Sequence, residues 1–298
     1  MINSRDSMRP IVIGVVIALA ILMTAVGIVL VHGSGHPTSR AALSTTNLKL
    51  VYGAKDVAVE AKYVSLGMGD FPSGWTASQG QSPSYLATVI SGTPGGQVAE
   101  RTFAACMHVP VSRLAYLLDI PSTHPLAYSS SPEFASPLGS SLQASSTSVV
   151  YSAIHVAAYL PLLLGSPHYG QCARPLWAVI LRASVANAFK SSGSYSPRIA
   201  SITIVPEASS SFPRLPKEVH AVGDITTVSL SSGAGSARGA VGTSHIEQVL
   251  LQAGGLDVSM QLSSTGGVFP GRLRDHLIQQ VAYRMSREIP TIPAGSGG

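Results

Sequence analysis

The feature that most constrains this chain is an apolar segment close to its N-terminus. Residues 10–31 read PIVIGVVIALAILMTAVGIVLV, with a single Thr and no charged side chain. As a helix rising 1.5 Å per residue, the segment is long enough for the roughly 30 Å hydrocarbon core of a bilayer. A cleaved signal peptide is the alternative, but its apolar part usually has about 7–15 residues and ends at a small-residue site. The sequence therefore favours a transmembrane helix over residues 10–31.

The charges on either side of this segment predict its orientation. Arg5 and Arg9 precede it, whereas the following flank has no Lys or Arg before Arg40. Basic flanks stay in the cytoplasm. We therefore expect residues 1–9 to be cytoplasmic and the rest of the chain to be extracytoplasmic at the cell membrane, with membrane lipid as the partner of the helix.

Charge is too sparse and too scattered for a nucleic-acid-binding surface. The formal net charge is +5, but only 11% of the residues are charged. The lysines are dispersed along the chain, at Lys49, Lys55, Lys62, Lys190 and Lys217. Because nucleic-acid binding needs clustered positive charge along the phosphate backbone, we expect no nucleic-acid partner.

The cysteines provide a second indication of compartment. Cys106 and Cys172 are the two in the chain, and both lie in the part expected to be exported. In an oxidising compartment the simplest prediction is one disulfide. Closing a loop of this length would stabilise the fold by about 4 kcal/mol in the chain-entropy model. A catalytic Cys assisted by His108, or two buried thiols, are the alternatives.

Hydrophobic patterning predicts one α+β domain, an antiparallel sheet packed with helices. Residues 32–47 are rich in Gly, Ser and Thr and suggest a flexible linker, residues 48–289 form the domain, and residues 290–298 suggest a disordered tail. Strands are predicted at 57–63, 148–151, 199–205, 224–230, 245–252 and 256–262, and helices at 97–107, 153–164, 172–190 and 271–288. Alternating apolar and polar residues in the strands argue against an all-parallel sheet.

The connections are predicted from turn residues. Gly254 and Gly255 between the last two strands are typical of a hairpin, and the segment 67–75 (GMGDFPSGW) predicts a turn that ends with Trp75 entering the core. Several prolines and many serines predict an irregular loop over residues 119–146. The glycine-rich segment 233–239 lacks the Lys-Ser/Thr of a phosphate-binding loop, and a hairpin loop is favoured.

The sequence contains none of the common catalytic or metal-binding motifs. Ser166 and His168 are close in sequence, but the Gly and Pro around them favour a loop. No G-x-S-x-G, H-E-x-x-H or Cys-x-x-Cys pattern occurs, and the carboxylates are solitary in sequence. We therefore predict no catalytic, cofactor-binding or metal-binding residues, no cofactor, and a protein that is not an enzyme.

Several short segments resemble exported actinobacterial proteins of the sensor-domain type, a group that includes the extracellular domain of a mycobacterial serine/threonine kinase. The matching segments are 70–75 (DFPSGW), Cys106, 131–134 (SPEF), 146–149 (STSV), Cys172 and 223–224 (GD). The pattern departs from the kinase in having one cysteine pair instead of two, and no kinase domain between residue 1 and the apolar segment. The resemblance implies a cleft beside an antiparallel sheet that accepts a ligand, and it transfers no functional residue.

These observations together favour a binding or sensor-like module of the cell envelope. Its ligand is not specified by the sequence. A structural partner of another membrane protein, and an envelope hydrolase with an unrecognised active site, are the alternatives.

Overall fold

A computed structural model describes residues 54–78, 94–111, 125–137, 142–151, 159–188, 198–231 and 240–288. The predicted transmembrane segment 10–31, the linker 32–47 and the tail 290–298 lie outside these ranges. Of the helices within them, none combines the length and the apolar character required to cross a bilayer.

The core of the domain is a sheet of eight strands with antiparallel pairing throughout. The strands are β1 (Thr76–Ser78), β2 (Ala127–Ser130), β3 (Glu133–Ala135), β4 (Leu142–Val150), β5 (Arg198–Pro206), β6 (His220–Ser231), β7 (Ala240–Ala253) and β8 (Leu256–Thr265). Their order is β1-β3-β4-β8-β7-β6-β5, and β2 also pairs with β4. The last strand in sequence, β8, thus lies between β4 and β7.

Helices pack on both faces of this sheet, which confirms the predicted α+β class. They are α1 (Ala54–Val64), α2 (Pro94–Cys106), α3 (Tyr159–Leu164), α4 (Tyr169–Ala188) and α5 (Gly271–Glu288), with short 3-10 helices at Met68–Asp70 and Ser209–Ser211. We call the face that carries Ile246 and Leu250 the front face, and the face that carries Val249 and Leu251 the back face.

The front core lies between α2, α3 and α4 and the strands β5, β6 and β7. Trp177 and Ile180 of α4 pack there with Ile202 of β5, Val228 of β6 and Ile246 of β7. The helical spacing of the apolar residues in α4 places them on one side. The predicted amphipathic helix at 172–190 is therefore confirmed, although it begins earlier, at Tyr169.

The back core lies between α1 and α5 and the strands β4, β8 and β7. Leu277, Ile278 and Val281 of α5 pack there with Val258 and Met260 of β8. The sequence predicted α5 with the bounds that it has, because its apolar residues follow helical spacing and prolines follow its end. The aromatic residue at the end of the turn also packs in this core, since Trp75 is buried and stacks on Phe71 with ring centroids 4.6 Å apart.

The predicted hairpin between the last two strands is present. Ala253 and Leu256 are paired, so Gly254 and Gly255 form a two-residue loop. Gly254 has φ +58°, a conformation that a side chain disfavours. A Cβ on Gly255 would lie 2.9 Å from the carbonyl oxygen of Tyr151.

Residues 57–63 are helical, so the predicted strand there is wrong. They belong to α1, in which Ala61 and Val64 are the buried positions. Two buried residues three positions apart are typical of one face of a helix. The alternation of Val57, Val59 and Ala61 is also typical of a strand, and this local pattern does not show which residues pack against the sheet.

The irregular loop predicted at 119–146 is also wrong in part, because it contains β2, β3 and the first half of β4. β4 begins at Leu142 and pairs with β8 along its whole length. Serine and proline are poor strand formers as isolated residues, but pairing with a long neighbouring strand overrides this preference. Of the helix predicted at 153–164, residues 159–164 are described and helical.

Candidate functional site

The front face changes character from one side of the sheet to the other. It is apolar where the front core covers β5, β6 and β7, and polar over β4 and β8. On β8 the front-facing residues are Asp257, Ser259, Gln261 and Ser263, whereas Leu256, Val258, Met260 and Leu262 point to the back core. The strand therefore has one polar and one apolar side.

A row of polar residues runs across four neighbouring strands at the centre of this face. Ser145 of β4 pairs with Gln261 of β8, which pairs with Gln248 of β7, which pairs with Asp224 of β6. Adjacent strands are about 4.8 Å apart, so the four side chains form a continuous row across the sheet. This row is the centre of the candidate site.

The polar residues on this face are buried. We define the polar strip as nine of the buried front-facing polar residues: Glu133, Gln143, Ser145, Thr147, Asp224, Gln248, Asp257, Gln261 and Ser263. Gln261 is 7% exposed and Asp257 is 3% exposed. Polar side chains of this size are mostly found on protein surfaces, so their burial here needs a compensating interaction.

Several atoms of the polar strip have no hydrogen-bonding partner among the described residues. They are Oε1 of Gln143, Oδ2 of Asp224, both carboxyl oxygens of Asp257, and Oε1 and Nε2 of Gln261. Each buried polar atom left without a partner costs about 1–3 kcal/mol. Such atoms are rare in native proteins and call for an explanation, such as a bound molecule. All of them except the Gln261 nitrogen are acceptors.

The strip contains three carboxyl groups and no basic side chain. Burial raises the pKa of Asp257 well above its usual value. Burial also raises the pKa of Glu133 to about 7 and is the main reason that the pKa of Asp224 rises to about 7, against a hydrogen bond from Thr226. In all three groups desolvation is the main cause of the shift, because burial disfavours the charged form of a carboxyl group.

Other carboxylates that are solitary in sequence are brought to arginines on the back face. Arg274 of α5 bonds to Glu207 at 2.8 Å and also to Glu247 of β7. Arg284, which lies closer to the C-terminal end of α5, pairs with Asp70. These pairs attach α5 to the sheet and to the segment after α1, and we assign them a structural role.

The predicted disulfide is present between Cys106 at the end of α2 and Cys172 in α4, with a Cα–Cα distance of 5.4 Å. It braces two helices of the front core, as the sequence predicted. The favoured loop around Ser166 and His168 is confirmed: the Ser166 hydroxyl accepts a hydrogen bond from the His168 backbone N–H at 3.3 Å, immediately before α4. Within the described ranges, no group of three or more His, Cys, Asp or Glu side chains could hold a metal ion.

Several of the segments that carry the family resemblance meet on the back face. The Ser146 backbone N–H donates to the Ser131 hydroxyl at 2.9 Å, and the Ser146 hydroxyl accepts a hydrogen bond from the Leu66 backbone N–H at 2.8 Å. Phe71 contacts Phe134 with ring centroids 4.5 Å apart. These residues hold α1 and the following turn against β4, so they shape the fold and do not form the polar strip.

Sequence reasoning missed the polar strip as a site. The alternation in β8 predicts that Asp257, Ser259 and Gln261 share the polar side of a strand, but it does not indicate that this side is buried. The available signal was the length of the polar run, because β4 carries Gln143, Ser145 and Thr147 on the same face. Two adjacent strands with polar residues at every front-facing position but one are unusual at the middle of a sheet.

Comparison of the chain with protein-family models, with curated proteins and with solved structures found no match.

Proposed function

We propose that this protein is a membrane-anchored, extracytoplasmic binding or sensor-like module of the cell envelope, which holds a hydroxyl-rich ligand along the polar strip without catalysing a reaction. The observation that carries the proposal is a set of buried polar atoms on Gln143, Gln261, Asp257 and Asp224 that no described residue pairs with. A ligand that bonded to them would remove a cost of about 1–3 kcal/mol for each atom.

The chemistry of these atoms indicates the class of ligand. Nearly all of them are acceptors, so the ligand must be rich in donors. Because the strip has no basic residue, it offers no counter-charge to an anionic ligand such as a phosphate. Sugar hydroxyls both donate and accept, and they match the mixture of carboxyl and amide groups. We therefore favour a saccharide over an anionic ligand.

Membrane attachment and location rest on the sequence. The apolar segment 10–31 and the arginines before it support an anchor that keeps the domain outside the membrane. The disulfide between Cys106 and Cys172 is consistent with an oxidising compartment. The resemblance to exported sensor-domain proteins supports the same proposal, because it implies a ligand cleft beside an antiparallel sheet.

Thermal unfolding of the full chain in detergent micelles tests the proposal. We expect cello-oligosaccharides or glycan fragments of the envelope to raise the melting temperature in a saturable way. The variant Gln261→Met should lose this response, whereas Gln279→Met, on the exposed side of α5, should retain it. If no saccharide stabilises the protein, or if Gln261→Met responds like the wild type, the polar strip is not the binding site. A role only as a structural partner of another membrane protein predicts that outcome.

A further inference from the structure

Asp257 differs from the other polar residues of the strip in its surroundings. Its cross-strand neighbours are Val149 of β4 and Gln252 of β7, and neither carries a charge. The residue is 3% exposed, and neither of its carboxyl oxygens has a hydrogen-bonding partner among the described residues. A whole carboxyl group is therefore buried against the sheet without a donor from the part of the chain that the structure describes.

Three other buried carboxyl groups of the domain, those of Asp224, Asp70 and Glu247, have donors. Asp224 accepts a hydrogen bond from the Thr226 hydroxyl at 3.1 Å. On the back face, Asp70 is paired with Arg284, and Glu247 with Arg274. Each of these three carboxyl groups thus receives an arginine or a hydroxyl, whereas Asp257 receives neither from the described residues.

A hydroxyl group and an ammonium group would stabilise a buried carboxyl group to different extents. A hydroxyl can donate a hydrogen bond, but it leaves the negative charge of the ionised form uncompensated, and an isolated buried charge is costly. An ammonium group supplies both donors and the opposite charge, and charge-assisted bonds are roughly twice as strong as neutral ones. The environment of Asp257 therefore favours a cation over a neutral donor.

We infer that Asp257 is a cation subsite, which binds the ammonium group of a ligand whose hydroxyl-bearing part lies over Gln261 and Gln143. This inference rests on the proposed function and specifies its ligand further, as an amine-bearing saccharide. Asp257 and Gln261 lie four residues apart on β8, a separation of about 13 Å at the rise of a strand. The ammonium group must therefore be separated from the centre of the sugar part by roughly that distance.

A matched pair of probes tests the inference on the full chain in detergent micelles. 3-Aminopropyl β-cellobioside and 3-hydroxypropyl β-cellobioside have the same length and differ in the charge of the terminal group. We expect isothermal titration calorimetry to show at least tenfold tighter binding of the amine at neutral pH. Asp257→Asn should abolish this difference between the probes. Glu218→Gln, which removes a carboxylate from an exposed position, should preserve it.

The possible outcomes separate the two proposals. If both probes bind equally well to the wild type, or if Asp257→Asn keeps the preference for the amine, the cation subsite is refuted while saccharide binding stands. If neither probe binds, and no other saccharide does, the proposed function fails and the subsite fails with it. The melting temperature of each variant, measured alongside, shows that the loss does not come from unfolding.

Discussion

Arg284 in the last helix and Asp70 in the first turn form a two-pronged ion pair across 214 positions of sequence. One guanidinium nitrogen, Nη2, lies 2.8 Å from Oδ2 of Asp70, and Nη1 lies 3.2 Å from Oδ1. The Gly67 backbone N–H also donates to Oδ2 at 2.8 Å. This parallel geometry is the strongest arrangement for an arginine and a carboxylate, and it fixes the turn before Trp75 to α5.

Removing the arginine of this pair should destabilise the domain substantially. Arg284→Met leaves the buried Asp70 carboxylate without its counter-charge, and breaking a buried pair in this way costs about 3–5 kcal/mol. Urea unfolding measures the change. Arg272→Met serves as the control, because Arg272 lies on the exposed side of the same helix and should change the free energy of unfolding by less than about 0.5 kcal/mol. Equal effects of the two substitutions would contradict this assignment.

Replacing a strip glutamine with an apolar residue of similar size should stabilise the ligand-free protein. Gln261→Met removes two buried atoms that have no partner among the described residues, so the free energy of unfolding should rise by about 1 kcal/mol or more. Chemical denaturation without ligand provides the measurement. A loss of stability comparable to that of a core substitution would show that water or protein groups already satisfy the Gln261 amide.

The buried carboxyl groups of the strip predict an unusual pH dependence of folding. Burial raises the pKa of Asp257 well above its usual value, and the pKa values of Asp224 and Glu133 to about 7. An acid with a higher pKa in the folded state stabilises the fold fully below its unfolded pKa, near 4, and this contribution is lost as the pH rises through the folded pKa. The melting temperature should therefore be higher at pH 5 than at pH 8.

The variant Asp257→Asn measures how much Asp257 contributes to this pH dependence of stability. Asp257→Asn cannot ionise, so its melting temperature should exceed that of the wild type at pH 8 and match it closely near pH 4.5. Glu218→Gln, at an exposed position, should follow the wild type at both values. A wild-type protein whose stability increases steadily from pH 5 to pH 8 would rule out buried, protonated carboxyl groups in the strip.

The end of α2 offers a stabilising substitution. His108 has φ +55°, and the Val109 backbone N–H bonds to the Ala104 carbonyl at 3.0 Å, as in a helix ending that favours glycine. His108→Gly should raise the free energy of unfolding by about 1 kcal/mol, because the left-handed conformation costs residues with a Cβ about that much. In the regular helix α5, His276→Gly should instead lower it by about 0.5 kcal/mol. Thermal unfolding of the two variants would show opposite shifts.

The sequence predicted the helices and strands whose own residues show a regular hydrophobic periodicity and clear end signals. The helix α5 and the strands β7 and β8 have regular periodicity and clear ends, so their type was correct. The helix α1 and the serine-rich strand β4 depend on partners far along the chain. For example, the hydroxyl of Ser148 in β4 bonds to the Ala61 carbonyl of α1, a contact that no local pattern specifies.

The candidate site was less predictable than the fold. The pattern of β8 showed that Asp257 and Gln261 share one side of the strand, but not that this side is buried. Burial depends on which strands are neighbours, and the pairing of β4 with β8 joins segments separated by more than a hundred residues. The disulfide was predicted because two cysteines in an oxidising compartment leave one intramolecular choice.

The position of β8 at the middle of the sheet has a consequence for how the protein is made. Until Leu256–Thr265 has been synthesised, β4 and β7 have no neighbour between them, and their facing edges remain open. Open strand edges promote association between chains. A nascent chain, or one terminated before β8, would therefore be exposed to aggregation until β8 takes its place between β4 and β7.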